Sequence, residues 1–316
     1  MPTLHPQIVQ VIEAMERAQL RPIEASTPAE ARAQMEATAR SRKAEPLPVG
    51  RVEERLIPGP AGEIRVRLYW PNGGGASANK VPAIAYYHGG GHVIGSLDTH
   101  DLIARNLCAG AEALVMSADY RMGPEHKFPA AVDDSFAALQ WLTANAASLG
   151  ADPERLGVHG DSAGANLAAV VALMARDRGG PALKLQSLVY PVADYTMNTA
   201  SYRTFAEGYG LLTAAAMRWF REHYLSSPEE ADDWRASPLK APSHAGLPPA
   251  IIVTAECDVL HDDGVAYAAA LRKAGVEVEY REYPGMVHAF FGMVPIVDDA
   301  MNAQRAVWEA FKRAFA

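Results

Sequence analysis

The sequence predicts an α/β fold in which a mostly parallel sheet is covered by helices on both faces. From residue 81 onward, six short and mostly apolar runs alternate with helical stretches, and continuous apolar strands are typical of a sheet buried on both sides. Before residue 71, two runs alternate apolar and polar residues, which indicates a half-exposed hairpin. Between Asp194 and Trp234 the strand–helix alternation stops, which indicates an insertion.

The composition excludes several classes of protein. The chain has 316 residues, of which 49% are hydrophobic and 21% are charged, as is ordinary for a globular domain. A net charge of −8 repels phosphate backbones, so nucleic acid is not expected as a partner. Two cysteines cannot form a disulfide framework. No apolar stretch approaches the roughly 20 residues of a membrane span, and the N-terminus lacks the pattern of a signal peptide. We therefore expect a cytoplasmic protein without a membrane partner.

The first 45 residues are predicted to be helical. Apolar residues recur at helical spacing in the first stretch, at Ile8, Val11, Ile12 and Met15. A second helix is expected to begin at a capping box, in which Thr27 and Glu30 satisfy each other's backbone amides. This helix is expected to end near Arg42 and Lys43.

A hairpin and a glycine-rich segment follow. The strands at 51–57 and 63–70 are joined by a turn rich in proline and glycine. The segment 71–80 lacks the Gly-Lys-Ser/Thr ending of a phosphate loop, and no helix pattern follows it directly. We interpret it as a flexible surface turn.

The main sheet is predicted from the apolar runs. They lie at 81–88, 113–120, 155–160, 185–190, 250–256 and 276–283. Helical stretches separate them near 129–147, 162–178, 261–274 and 298–315. Ligands of such sheets bind at the carboxyl ends of the strands, so a functional site is expected at that edge.

The motif that carries chemistry is Gly160-Asp161-Ser162-Ala163-Gly164. It follows a predicted strand and opens a predicted helix, which is the context of a nucleophile elbow. Small flanking residues permit the tight turn, and the helix N-terminus presents partial positive charge to developing negative charge. A helix cap made by the Ser162 hydroxyl is the simpler alternative.

A second motif supports the catalytic interpretation. The strand at 81–87 runs directly into His88-Gly89-Gly90-Gly91-His92. Successive glycines allow the backbone to approach a ligand and to turn its N–H groups inward. Backbone donors of this kind stabilise the oxyanion in acyl transfer.

A serine nucleophile requires a base and an acid that orients the base. With this type of elbow the order along the chain is serine, acid, histidine. Asp258 follows a late strand and fits the acid, with Glu256, Asp262 and Asp263 as rivals. His288 follows the last strand and is the only histidine after His261.

The remaining histidines and cysteines do not indicate a metal site or a cofactor. His88 and His92 are four residues apart, but the glycines between them argue against a helix that could present both to a metal. His100 and His126 show no ligand-like spacing. Cys257 is expected to be a small buried apolar residue rather than a nucleophile.

These motifs resemble those of the hormone-sensitive-lipase-like (family IV) bacterial carboxylesterases, a branch of the α/β-hydrolases. The matching segments follow the order of the family along nearly the whole chain, at 88–92, 119–130, 160–166, 258–260 and 286–290. Two positions differ from the family pattern: Ala165 stands where a glycine is usual, and Val259 where proline is frequent.

The resemblance implies a site and a cap. The implied triad is Ser162 as nucleophile, Asp258 as acid and His288 as base, and the implied oxyanion donors are the amides of Gly90, Gly91 and Ala163. The cap is implied to consist of the helices in 1–45 and the insertion at 195–235, over a core of 46–194 and 236–316. Within the insertion, we expect four apolar side chains to line the substrate pocket: Phe205, Tyr209, Leu211 and Leu212.

The sequence thus predicts a serine carboxylic-ester hydrolase that needs no cofactor. Its expected substrates are short- to medium-chain acyl esters of small molecules. An amidase or peptidase on the same scaffold stays open, as does a non-catalytic ligand-binding homologue. The sequence does not decide between a monomer and a homodimer.

Overall fold

The computed structural model describes residues 2–41, 44–74 and 80–316. The helices are α1 (Pro6–Ala18), α2 (Pro28–Ser41), α3 (Asp101–Ala111), α4 (Ala130–Asn145), α5 (Ala163–Asp177), α6 (Ala200–Thr204), α7 (Ala214–Tyr224), α8 (His261–Lys273) and α9 (Asp298–Phe315). The strands are β1 (Arg51–Gly59), β2 (Gly62–Trp70), β3 (Val81–Tyr87), β4 (Leu114–Asp119), β5 (Ala151–Asp161), β6 (Leu183–Val189), β7 (Ala250–Cys257) and β8 (Val278–Val287). The expected end of the second helix at 42–43 and half of the expected surface turn, 75–79, lie outside the described residues.

These strands form one sheet in the order β1-β2-β4-β3-β5-β6-β7-β8. The hairpin strand β2 pairs antiparallel with β1 and with β4. The neighbouring strands β4, β3, β5, β6, β7 and β8 pair in parallel, each with the next. The parallel strands β3, β4 and β7 are largely buried because their sequences are apolar on both faces, whereas the edge strand β8 is partly exposed and carries charged residues. The predicted α/β fold is therefore confirmed.

Helices cover both faces of the sheet, as consecutive residues of β3 show. Tyr87 donates a hydrogen bond to the Ser135 carbonyl of α4 (2.9 Å). Tyr86 points to the opposite face, where its ring lies beside His159, which in turn contacts Phe311 of α9. The helix α4 packs with α5 on one face, and α3 packs with α9 on the other.

The helix α3 is absent from the sequence-based prediction. Its Asn106 breaks the apolar stripe, although the residue is buried. The Asn106 side chain is satisfied there because it accepts from the Leu47 amide (2.8 Å) and donates to Gln304 of α9 (2.9 Å). A buried polar residue of this kind joins elements that are distant in sequence, which a local pattern does not reveal.

The N-terminal helices lie against the core and against the insertion. The capping box is confirmed, since Glu30 accepts from the Thr27 amide (2.8 Å) and Thr27 accepts from the Glu30 amide (3.3 Å). Arg32 ties α2 to the core through the Val93 carbonyl (2.7 Å). In the insertion, the Thr213 hydroxyl caps α7. The turn that precedes α2 contacts α7.

Candidate active site

Ser162 lies between the end of β5 and the start of α5 in a strained turn. Its φ of 56° and ψ of −120° are rarely adopted by residues other than glycine. The turn is possible because its flanking residues are glycines: a Cβ on Gly160 would clash with the Gly164 carbonyl, and a Cβ on Gly164 would clash with the Tyr87 carbonyl. The tight turn therefore places the Ser162 side chain at the carboxyl edge of the sheet, ahead of the α5 N-terminus.

The structure brings Ser162, His288 and Asp258 together from three separate loops. His288 Nε2 lies 3.0 Å from Ser162 Oγ, and His288 Nδ1 lies 2.7 Å from Asp258 Oδ2. The network assigns the proton to Nδ1, because a carboxylate only accepts hydrogen bonds. The second carboxylate oxygen, Asp258 Oδ1, accepts from the Leu260 amide (3.0 Å). Both carboxylate oxygens are thus held, and Nε2 is left to accept the serine proton.

Gly90 and Gly91 border the same space as Ser162. Their φ values of 118° and 61° are conformations that favour glycine. A Cβ on Gly91 would clash with the Phe220 ring, and one on Gly90 with the Ile94 carbonyl. No backbone hydrogen bond between described residues uses the amide of Gly90 or Gly91. The two N–H groups are therefore available to an oxyanion.

A cavity of about 170 Å³ opens over these groups. Much of its apolar wall comes from the N-terminal segment and the insertion, through Ile23, Met35, Leu211, Leu212, Met217 and Phe220, and the core adds Ile94, Ile103 and Val192. Two of the four expected pocket residues, Leu211 and Leu212, are in this set. The other two are not: Phe205 is buried next to Tyr209 (ring centroids 6.4 Å), and Tyr209 lines a second cavity beside α1.

Comparison with known proteins decides the family. A family model for the alpha/beta hydrolase fold matches residues 84–292. Carboxylesterase NlhH of Mycobacterium tuberculosis (strain ATCC 25618 / H37Rv) is 44% identical over 273 residues, which are 85% of this chain and 84% of the relative. Ethyl acetate hydrolase of Pseudomonas putida is 41% identical over 232 residues, which are 73% of each protein. The chain belongs to the α/β-hydrolases.

The resemblance to family IV carboxylesterases is thereby confirmed. The solved structure of the ester-hydrolase EH1AB1 from the metagenome of Lake Arreo, in complex with a derivative of bipyridine phosphonate, matches this α/β-hydrolase with a TM-score of 0.93. The two chains are 39% identical, and the match covers 99% of each. These three relatives are named as a carboxylesterase, an ethyl acetate hydrolase and an ester-hydrolase.

The rival acids have other partners in this α/β-hydrolase. Glu256 lies within β7 and accepts from the Gly285 amide (2.7 Å). Asp262 accepts from the Ser201 amide (2.9 Å). Asp263 Oδ2 accepts from the amides of Ala193 (2.9 Å) and Asp194 (3.1 Å), at the point where the insertion leaves the core. Each of the three therefore has a structural role, and only Asp258 reaches His288.

Asp263 should make stability depend on pH, because burial raises the pKa of its carboxyl to about 8. The carboxyl keeps its proton in the folded protein up to about pH 8 but loses it near pH 3.9 when the chain unfolds. The free energy of unfolding should therefore fall as the pH rises from about 4 to about 8. Asparagine cannot ionise, so Asp263→Asn should raise the melting temperature at alkaline pH and leave it nearly unchanged below about pH 4.

Asp262 provides the matched control. Burial opposes ionisation of this carboxyl, but the hydrogen bond and charge of His261, together with the amide hydrogen bond from Ser201, outweigh burial and lower its pKa. Asp262→Asn should therefore lose stability relative to the wild type above pH 4, which is the opposite sign. If Asp263→Asn had the same melting temperature as the wild type at pH 5 and also at pH 9, Asp263 could not be a buried, neutral carboxyl.

Two aromatic residues at the site belong to none of the motifs identified in the sequence. The Tyr190 ring lies against the His288 imidazole (centroids 4.5 Å), and its backbone has the positive φ of 36°. Phe220 of α7 packs on Gly91. It closes, from the side of the insertion, the loop at 88–92, which is the predicted oxyanion loop. Tyr190 is the last residue of the strand predicted at 185–190, and this position at the carboxyl edge could have identified it.

His88 and His92, on either side of the three glycines, are packing residues in this structure. His92 is fully buried and stacks on Tyr224 (centroids 3.9 Å), and burial lowers its pKa to about 3. Burial likewise lowers the pKa of His88 to about 4. Within the described ranges, no group of three or more potential metal ligands occurs. Nor does any helix of the described chain have the length and apolarity needed to cross a membrane.

Proposed function

We propose that this α/β-hydrolase is a serine carboxylesterase acting on short- to medium-chain acyl esters of small molecules. One observation carries the proposal: His288 joins Ser162 (3.0 Å) to Asp258 (2.7 Å) at the base of a cavity bordered by Gly90 and Gly91. The carboxylesterase relatives support it, and the ethyl acetate hydrolase among them supports small ester substrates.

The proposed reaction follows from these groups. Ser162 Oγ attacks the ester carbonyl carbon while its proton passes to His288 Nε2. The carbonyl electron pair moves to the oxygen, which receives hydrogen bonds from the Gly90, Gly91 and Ala163 amides. The imidazolium, stabilised by Asp258, returns the proton to the departing alcohol. Water then attacks the acyl-enzyme with the same base, which releases the acid and restores Ser162.

The first test compares an ester with its matched amide. The purified protein should hydrolyse p-nitrophenyl butyrate, whereas butyric p-nitroanilide should stay at the background rate, because amide cleavage must expel a poorer leaving group. An anilide rate above the ester rate would make the protein an amidase. If the protein hydrolysed neither substrate, and no other ester from acetate to palmitate, the result would favour the non-catalytic homologue.

Acyl-chain length should show an optimum at short to medium chains. The cap proposed from residues 1–45 and 195–235 supplies apolar walls to a cavity of limited volume. Each buried CH₂ contributes up to about 0.8 kcal/mol, so kcat/KM should first rise by up to about fourfold per carbon. Beyond the wall, further carbons clash or stay in water. The measurement is kcat/KM on p-nitrophenyl esters from acetate to palmitate, and an optimum at palmitate, or activation by emulsified triglyceride, would indicate a lipase instead.

Leu211 offers a sharper version of this experiment. Leu211 and Ile23 line both the catalytic cavity and the second cavity beside α1, so they separate the two spaces. Leu211→Ala should connect the cavities and move the optimum to longer acyl chains. Leu225, which is buried at the end of α7 but outside both linings, gives the control variant Leu225→Ala, whose optimum should equal that of the wild type.

A cytoplasmic location stays a prediction from the sequence, and the choice between a monomer and a homodimer stays open. Cell fractionation tests the first. Sedimentation of the purified protein tests whether it is a monomer or a homodimer.

A further inference from the structure

Asp161, the residue before the nucleophile, holds a buried carboxylate next to the oxyanion loop. Its Oδ1 accepts hydrogen bonds from the Tyr86 hydroxyl (2.9 Å) and from the Gly89 amide (3.2 Å). Its Oδ2 lies 3.5 Å from His100 Nε2. The residue is only 5% exposed. None of these contacts is part of the reaction proposed above.

The Gly89 amide belongs to the peptide group that begins the oxyanion loop. The carbonyl of that same peptide group, on His88, accepts a hydrogen bond from the Tyr120 hydroxyl (2.7 Å). Tyr120 and Asp161 thus hold the two ends of one peptide plane. The next peptide plane carries the Gly90 N–H and is joined to this one only through the φ and ψ of Gly89. Its carbonyl oxygen, on Gly89, lies 2.7 Å from His88 Nδ1, so the two successive planes at the start of the loop are both held.

Gly89 itself shows how close this approach is. A Cβ at position 89 would lie 2.5 Å from Asp161 Oδ2, so a larger residue would displace the carboxylate. The contact also joins the two catalytic motifs directly, because Asp161 belongs to the elbow and Gly89 to the oxyanion loop. The spacing between Ser162 and the oxyanion donors therefore depends on this hydrogen bond.

The charge of Asp161 is compensated within the same cluster. Burial alone would raise the pKa of the carboxyl, but His100 and the Tyr86 hydroxyl outweigh burial and lower it to about 2. An ionised carboxylate only accepts hydrogen bonds, so Oδ1 can serve both donors at once. The Gly89 bond is therefore a charge-assisted one, which is stronger than a neutral bond.

We propose that Asp161 is a positioning residue that orients the Gly90 and Gly91 amides toward the oxyanion by fixing the Gly89 peptide group. The inference rests on the proposed esterase function. It predicts a loss in the transition state rather than in substrate binding, because the oxyanion exists only after Ser162 has attacked.

The first experiment compares Asp161→Ala with Asp161→Asn. Loss of one oxyanion donor typically costs about 10²–10³-fold in kcat, so a misdirected loop in Asp161→Ala should lower kcat by roughly 10–100-fold with KM changed by less than about threefold. The asparagine oxygen can still accept from Gly89 and Tyr86, so Asp161→Asn should recover most of the loss. An Asp161→Ala enzyme with wild-type kcat, or an asparagine variant as impaired as the alanine variant, would overturn the proposal.

Inhibition by a trifluoromethyl ketone tests the oxyanion site directly, because a general loss of stability does not change the inhibition constant. Ser162 Oγ bonds to the carbonyl carbon of the ketone, the carbonyl electron pair becomes the oxyanion, and the serine proton passes to His288. The inhibition constant of Asp161→Ala should rise by about the factor by which kcat falls. Unchanged inhibition beside a lowered kcat would contradict a role at the oxyanion.

Two neighbouring tyrosines keep the proposal testable if Asp161→Ala does not fold. Tyr86 and Tyr87 are both fully buried in β3, and each hydroxyl donates one hydrogen bond, to Asp161 and to the Ser135 carbonyl respectively. Tyr86→Phe should lower kcat by several-fold, whereas Tyr87→Phe should lower only the melting temperature, because its lost hydrogen bond is remote from the oxyanion loop. Equal effects on kcat would overturn the proposal. A wild-type protein that hydrolyses no ester would instead refute the proposed function.

Discussion

Ser162→Ala should reduce kcat for ester hydrolysis by on the order of 10⁶-fold, the loss seen when the nucleophile of a serine hydrolase is removed. The substitution deletes the attacking oxygen while His288 and Asp258 stay in place. The protein should remain folded, since the lost oxygen makes a single side-chain hydrogen bond, to His288 Nε2. Rates with p-nitrophenyl butyrate, together with the melting temperature, measure both parts of this expectation.

The neighbouring strand supplies a matched control. Ser187 in β6 is fully buried, and its hydroxyl lies 2.9 Å from His159 Nδ1, so it forms a second serine–histidine pair beneath the site. Ser187→Ala removes the same atom from a similar pair but should leave kcat near the wild-type value. Near-normal turnover by Ser162→Ala would exclude the proposed mechanism, and so would a Ser187→Ala variant that is folded but inactive.

The fold was predictable from the sequence because its strands are continuous apolar runs with helices between them. The exception is instructive: α3 was not predicted because Asn106 interrupts its apolar face. That residue is compatible with burial only through its partners Leu47 and Gln304, which lie 59 and 198 residues away. Local periodicity identifies the apolar residues that a helix buries, but it does not identify a polar residue that is buried and hydrogen-bonded.

The position of the triad was predictable for a different reason. A nucleophile elbow requires small residues at fixed spacing, and the acid and the base must then follow the strands that end nearby. The pocket walls have no such requirement. Leu212 lines the catalytic cavity, whereas Tyr209, three residues earlier, lines the cavity beside α1, and this division depends on how the insertion packs against the N-terminal helices. The role of Asp161 was hidden too, because its partner Gly89 lies 72 residues away.

Asp258→Asn should lower kcat by about 10⁴-fold at neutral pH while the geometry of the site is retained. The asparagine oxygen can replace Oδ1 and accept from the Leu260 amide, which turns the NH₂ group toward His288 Nδ1. A donor at that position forces Nδ1 to be the acceptor and places the imidazole proton on Nε2. Nε2 then cannot take the proton of Ser162.

The rival carboxylates give the controls for this prediction. Glu256→Gln keeps an oxygen that can accept from the Gly285 amide, and Asp262→Asn keeps one for the Ser201 amide, so both should stay within a few-fold of the wild-type kcat. Both neutral variants remove one negative charge close to Asp258 in sequence, so they separate the tautomer effect from a general change in electrostatics. If either lowers kcat more than Asp258→Asn does, the acid of the triad has been assigned to the wrong carboxylate, whatever the distance between Asp258 and His288.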